Sequence, residues 1–234
     1  MAGKNKPSVS CLVPTYNEQA HIGSILEILT SLDDVLSEII VIDDGSTDST
    51  KEIVAKFSGV KLISNPVNRG KSYSISEGLR VAHSDLIFMC DGDLIGLNQS
   101  TVKNLVTPLL EGIVDITISF RDNTPHWWIN LFKVETFSGE RCFPATLLED
   151  DIDRISKLPG YGLEVFINDQ IIRKKFRIGS VRMNYVTIDY KWHKYGWTLG
   201  IWRELKMWKQ IFSVVNPFKL GKQVFQMKKR AVRL

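Results

Sequence analysis

Five short apolar runs, separated by stretches with helical patterning, constrain this chain more than any other feature. "VSCLVPT" (9–15), "EIIVID" (38–43), "VKLISN" (60–65), "DLIFMC" (85–90) and "VDITISF" (114–120) have the length and apolar character of buried strands. Between them, "QAHIGSILEILTSL", "STKEIVAKF", "RGKSYSISEGLRVA" and "STVKNLVTPLLEG" read as helices, the last despite Pro108. Ser46, Thr47 and Asp48 stand where caps for the second helix belong. This alternation predicts an α/β fold with a mainly parallel, Rossmann-like sheet flanked by helices. Ligands of such sheets bind beyond the carboxyl ends of the strands. The first four runs open there into "PTYNE", "DDGSTD", "NPVNRGK" and "DGD", so four polar loops would share one edge and form one site.

With 44% hydrophobic and 24% charged residues over 234 positions, the chain can bury a sizeable core, and wholesale disorder is excluded. Cys11, Cys90 and Cys142 are widely spaced and form no CxxC pair, which argues against a disulfide framework or a cysteine-rich zinc site. The start, "MAGKNKPSVS", has no apolar signal region, and no run of about 18 uncharged apolar residues exists to span a membrane. The expectation is a cytoplasmic protein.

"MCDGDLIG" (89–96) places Asp91 and Asp93 at the end of the fourth apolar run. Carboxylates so placed suit a hard divalent cation that bridges phosphates, and Gly92 between them lets backbone approach closely. A calcium loop is disfavoured, because no Asp/Asn series or closing Glu follows. A turn holding two solvated acids is the plain alternative.

"PTYNE", "VIDDGSTDST", "NRGKSYSISEGL" and "CDGDL", in this order, resemble the nucleotide-sugar half of family 2 glycosyltransferases with the GT-A fold, over residues 8–120. "FSGERCF" and "GYGLEVFIN" are similar, more loosely, to segments of the polyprenyl-phosphate branch that includes dolichyl-phosphate mannose synthases, within an acceptor half at 121–195. The resemblance implies an inverting, metal-dependent hexosyltransferase using Mg2+ or Mn2+ and a UDP- or GDP-sugar. It implies that Asp93 holds the metal with Asp91 nearer the ribose. Glu18 and Asp44 would bind base and ribose, with Pro14, Thr15 and Tyr16 forming the floor. Arg69 and Lys71 are candidates for the base edge or diphosphate, and His193 for a further metal ligand, although a lone His often serves packing instead.

Two acceptors remain open. Glu164, after "GYG" at a helix start, matches by order and context the acid that takes a hydroxyl proton in many inverting members, and is preferred to Glu149, Asp150 and Asp151 of "LEDDID" (148–153), which lack the usual following helix pattern. It equally suits a helix N-terminus as a mere dipole partner. A polyprenyl phosphate arrives ionised and needs no base; Arg121 and Arg141 stand where that branch has arginines. The hydroxyl alternative covers a cell-envelope glycan, a glycolipid or a small polyol acid. From another class, a non-catalytic nucleotide-sugar-binding protein is opposed by the intact Asp91-x-Asp93 pair. A nucleotidyltransferase is opposed by the absence of a Gly-rich loop after the first strand.

Residues 196–234 carry nine Lys or Arg against one acid, in a chain whose net charge is +4. The basic character therefore belongs to the tail. Ile201, Leu205, Trp208, Phe212 and Val215 recur at helical spacing, and "KLGKQVFQMKKR" adds a polybasic end. The expected division is a GT-A domain over 1–195 and a basic amphipathic tail over 196–234. The tail would lie on an anionic membrane surface, with the protein peripheral on the cytoplasmic face. A helix packed on the domain is the alternative, and nucleic acid finds no supporting fold.

Overall fold

Continuous apolar runs become strands where helices can cover both their faces. The computed structural model describes residues 6–120, 136–183, 186–188 and 208–234. Its main strands are β1 (Val9–Thr15), β2 (Glu38–Asp43), β3 (Val60–Ser64), β4 (Leu86–Met89), β6 (Ile116–Phe120), β7 (Arg141–Pro144), β8 (Ile178–Arg182) and β10 (Ala231–Arg233). They form an eight-stranded sheet in the order β10-β8-β6-β7-β4-β1-β2-β3. Every pairing is parallel except those of β7, which runs antiparallel to both β4 and β6. A small ribbon pairs β5 (Leu94–Ile95) with β9 (Thr187–Ile188).

Helices α1 (Ile22–Thr30), α2 (Thr50–Val54), α3 (Lys71–Val81) and α4 (Gln99–Leu110) follow the first four polar loops, and α5 (Ile152–Ile155) and α6 (Gly162–Lys174) come from the second half. Cys11 and Val13 of β1 face α1 and α4 through Ile25, Leu26, Val102 and Leu105. Leu12 of β1, with Ile40 and Ile42 of β2, meets Ile75 of α3 and Leu163 and Ile167 of α6 on the other face. Alternate residues of one strand thus feed two cores, the packing expected of a sheet buried on both sides. Register fixes the site: Thr15 pairs Asp43, and Leu12 pairs both Ile40 and Met89. The loops after β1, β2 and β4 therefore leave the sheet at one edge.

The expected strands at 9–15 and 38–43 match residue for residue, and the other three match within two residues at each end. β7 and β10 carry no such pattern and were not expected. β7 is only "RCFP", with a charge at one end and a proline at the other.

The tail departs from expectation. Residues 208–214 are helical, then α7 (Pro217–Arg230) leads into β10, which pairs with β8. Ile211 and Val215 are buried in a cluster with Val165 and Leu220, and Met227 lies in the main core. Gln223 Nε2 donates to the Val165 carbonyl at 3.0 Å. Residues 208–234 of the expected tail thus supply an edge strand and a covering helix, the packing that stood as the alternative to a membrane-bound tail. Ile201 and Leu205 of the expected stripe lie outside the described residues. Among the described residues, no helix is long and apolar enough to cross a membrane. Deleting buried methylenes from a core side chain costs roughly 2–5 kcal/mol. Met227→Ala should therefore lower the unfolding free energy, measured by denaturant titration, by an amount in that range; a detached tail would leave it unchanged.

Candidate functional site

The first two loops are tied to each other. Asn17, with φ of 56°, donates its N–H to Ser46 Oγ at 2.9 Å and accepts from the Thr47 N–H at 2.8 Å. The Glu18 N–H donates to Thr50 Oγ1 at 2.9 Å. Asp48, expected as a cap, instead precedes the N-cap Ser49 of α2 and accepts from the Thr50 hydroxyl and the Thr50 and Gln19 N–H groups; although burial pushes its carboxyl up, those bonds hold it below the usual range. Tyr16 is exposed on this edge, while Thr15 is buried and its Oγ1 has no hydrogen-bond partner among the described residues.

Asp44 is buried and organises the third loop. Its carboxylate accepts from Asn65 Nδ2 at 3.0 Å, from the Arg69 N–H at 3.0 and 3.1 Å, and from the Gly70 N–H at 2.7 Å. Gly70 adopts φ of 92° as it opens α3. The sequence reading assigned Asp44 to the donor; in the structure its oxygens are engaged by the loop that presents Arg69 and Lys71. The exposed Arg69 guanidinium lies 3.6 Å from the centroid of the Tyr73 ring.

The fourth loop meets the second half of the chain. A Cβ on Gly92 would stand 3.0 Å from the Pro14 carbonyl oxygen and 3.2 Å from Thr15 Oγ1, so the Asp91–Asp93 turn lies against the β1 loop. From the other side Gly139 presses on the same place: a Cβ there would overlap the Asp91 carboxylate and come 2.6 Å from Lys71 Nζ. Lys71 Nζ lies 2.7 Å from Asp91 Oδ1 and 3.2 Å from Glu164 Oε1. Burial pulls the ammonium pKa down, but the carboxylates of Asp91, Glu164 and Glu140 outweigh it and raise it above the usual lysine value. Glu164, in the first turn of α6, is 2% exposed, and its Oε2 has no hydrogen-bond partner among the described residues. Tyr161 completes the cluster: burial pushes its hydroxyl up, as do the carboxylates of Glu164, Asp91 and Asp93.

Sequence reasoning missed Gly139, Glu140 and Tyr161. Buried Glu140 accepts from Ser119 and Ser138, both at 2.8 Å, and thereby shapes the turn that sets Gly139 on Asp91. The signal was the "SGE" triplet itself, small residues beside an acid in the segment that resembles the polyprenyl-phosphate branch. Arg141 is placed otherwise than expected. It is buried in β7, with Nε and Nη2 donating to the Ser138 carbonyl and Nη1 to Asn168 Oδ1 at 3.2 Å. These donors hold the loop backbone. Arg121 and His193 lie outside the described residues.

Asp91 and Asp93 are hard oxygen donors at an edge where backbone closes in from two sides, which fits a divalent cation carried by a diphosphate. Among the described residues no group of three His, Cys, Asp or Glu converges as a self-sufficient metal cage. A cation here would need oxygens from its ligand, as Mg2+ commonly does. Asp44→Ala removes several charge-assisted bonds, each contributing about 1.5–3 kcal/mol. Because these bonds share one carboxylate their losses overlap rather than add, and the variant should lose about 2–4 kcal/mol of stability, with faster amide hydrogen exchange at Arg69 and Gly70 than anywhere in β1.

Residues 10–161 match the family model described as glycosyl transferase family 2. Glucosyl-3-phosphoglycerate synthase of Mycobacterium tuberculosis is 36% identical over 119 residues, which are 47% of this chain and 36% of that protein. Undecaprenyl-phosphate 4-deoxy-4-formamido-L-arabinose transferase of Aeromonas hydrophila is 34% identical over 128 residues, 51% of this chain and 39% of the relative. The chain thus spans less than half the length of these relatives. The crystal structure of the M. tuberculosis synthase with Mn2+, uridine diphosphate and glucosyl-3-phosphoglycerate superposes with a TM-score of 0.64 at 26% identity, covering 78% of this chain and 72% of that one. The same protein has been crystallised with Mg2+ and uridine diphosphate. With a matched model over most of its length, a GT-A sheet and an Asp-x-Asp turn at the expected edge, the chain belongs to glycosyl transferase family 2.

Proposed function

We propose that the chain transfers a hexosyl group from a uridine diphosphate sugar, with Mg2+ or Mn2+, to an acceptor hydroxyl whose proton is taken by Glu164. The observation that carries this reading is the unpartnered Oε2 of a carboxylate that is 2% exposed. A buried acceptor atom left unpaired is costly, and a substrate hydroxyl placed against it would satisfy it. Glu164 stands at the start of α6, on the acceptor half, while its other oxygen meets Lys71 from the donor half. The complexes of the M. tuberculosis synthase with UDP-glucose support a uridine donor.

In this reading Asp93 and Asp91 would hold the cation, whose chemistry would be to offset charge on a departing diphosphate. Lys71 donates to the diphosphate or steadies Asp91 beside it. Thr15, Tyr16 and Glu18 line the nucleoside side. Glu164 accepts the hydroxyl proton as the acceptor oxygen attacks the anomeric carbon and the diphosphate leaves with the bonding pair. An acid on the acceptor side supports a single displacement with inversion, and the anomeric configuration of the product, read by NMR, checks it.

A second reading, transfer to a polyprenyl phosphate, is favoured by the likeness to the A. hydrophila transferase. Arg141 gives it less support than the sequence suggested, since its guanidinium is turned to Ser138 and Asn168. The experiment offers labelled UDP-sugars with Mn2+ to the protein, with phosphoglycerate or undecaprenyl phosphate as acceptor. Asp93→Ala should abolish transfer. Glu164→Gln should lower kcat by about a hundredfold or more with the donor KM little changed, as expected for loss of a general base. Transfer to the lipid that survives Glu164→Gln would replace the hydroxyl reading with the phosphate one. Nucleotide release with neither acceptor and no product would count against both.

A further inference from the structure

Helix α7 has one face that the domain covers and an opposite face of a different kind. Leu220, Gln223 and Met227 are buried, at spacings of three and four, against α6 and the core. At about 100° per residue, the side chains centred opposite them are Phe218, Lys222, Phe225 and Lys229, within an arc of about 60°. Phe218 is 87% exposed and Phe225 64% exposed. They sit seven residues apart on the same line of the helix, about 10 Å along its axis.

The electrostatics of this helix are one-sided. It contains Lys219, Lys222, Lys228, Lys229 and Arg230 and no acid. Lys219, near the edge of the buried face, lies 3.7 Å from Asp169 of α6. Lys222 and Lys229 instead flank the two phenylalanines. Two projecting aromatic rings on a convex helix face, with cations beside them, offer no concave pocket for a folded protein to fill. They match an anionic lipid bilayer, where rings enter the interfacial layer and ammonium groups meet headgroup phosphates. Orientation agrees with this. β10 follows α7 directly and runs parallel to β8, so α7 begins near the sheet edge that carries the site. Phe218 is the end of the stripe nearest that edge.

We infer that the outer face of α7, through Phe218, Phe225, Lys222 and Lys229, docks the protein on an anionic membrane surface. The inference is independent of which acceptor the site uses. It also differs from the sequence expectation, which put the apolar stripe at Ile201–Val215; the described part of that stripe places Val215 against the domain.

The test is co-sedimentation of the full chain with vesicles of phosphatidylcholine alone or mixed in equal parts with phosphatidylglycerol, without donor, metal or acceptor. The expected result is binding about tenfold or more tighter to the anionic vesicles, weakened by added salt. The double variant Phe218→Ser, Phe225→Ser should lose about tenfold in partitioning while keeping the wild-type circular dichroism and melting temperature. Lys222→Glu with Lys229→Glu should lose the preference for phosphatidylglycerol. Equal binding to both vesicle types, no binding, or undiminished binding by the phenylalanine variant would each overturn the inference. So would a concentration-dependent dimer, seen by sedimentation velocity and abolished by that variant, in a protein that ignores vesicles. Since no turnover is measured, these outcomes stand apart from success or failure of the transferase assay.

Discussion

The ammonium of Lys71, 2.7 Å from Asp91 and 3.2 Å from Glu164, is the contact on which the arrangement of the site depends. The two carboxylates come from different halves of the chain, one from the end of β4 and one from the first turn of α6. Both are drawn out of bulk water, Glu164 almost completely. Like charges brought together in a medium of reduced dielectric oppose each other, and an ammonium placed between them offsets that repulsion. Lys71 supplies that cation from a third element, the start of α3, which Gly70 opens in a backbone region closed to most side chains. The pair of contacts therefore joins donor half to acceptor half by charge at the site edge, in addition to the pairing of β7 with β4 and the apolar contacts of α6 beneath it.

Keeping that junction tight places demands on small residues. Gly92 brings the Asp91–Asp93 turn within contact of Pro14 and Thr15, and Gly139 lets the loop before β7 close over Asp91 and Lys71. The second closure is maintained from beneath: Glu140 gathers Ser119 and Ser138, and Arg141 holds the Ser138 carbonyl. Charged residues of this segment are thus spent on positioning backbone, while the groups that can meet a ligand come from the neighbouring loops. Asp44 plays the same part for the third loop.

This explains which parts were legible in the sequence. Strands of four to seven mostly apolar residues, and the polar loops between them, are local patterns, and the sheet edge bearing Asp91, Asp93, Lys71 and Tyr16 followed from them. The role of Arg141 was not local. A conspicuous arginine in a motif reads as a phosphate ligand, and only the fold shows that Asn168 of α6 lies against its guanidinium beside the nearby Ser138 carbonyl. β7 itself has four residues and no periodicity, so its existence depends on filling the gap between β4 and β6 rather than on propensity. The packing of the tail was hidden for a related reason. Its charge is visible in sequence, but its burial comes from matching Leu220, Gln223 and Met227 to a surface made by other elements.

That surface connects the end of the chain to the chemistry. Val165, the residue after Glu164, accepts a hydrogen bond from Gln223 and packs with Ile211, Val215 and Leu220. Just before it, Gly162 is approached by Val214, whose Cγ2 would lie 3.0 Å from an added Cβ, and Gly160 is pressed by the Gln210 amide. The turn that delivers Glu164 is therefore clamped between Lys71 on the donor side and the C-terminal helices on the other. A carboxylate with one unsatisfied oxygen would relax toward solvent if its helix start could shift, because hydration outweighs any single contact it makes there. The C-terminal packing removes that freedom. The basic segment, which looked like an appendage, is thereby part of what keeps Glu164 buried and aimed at the donor edge.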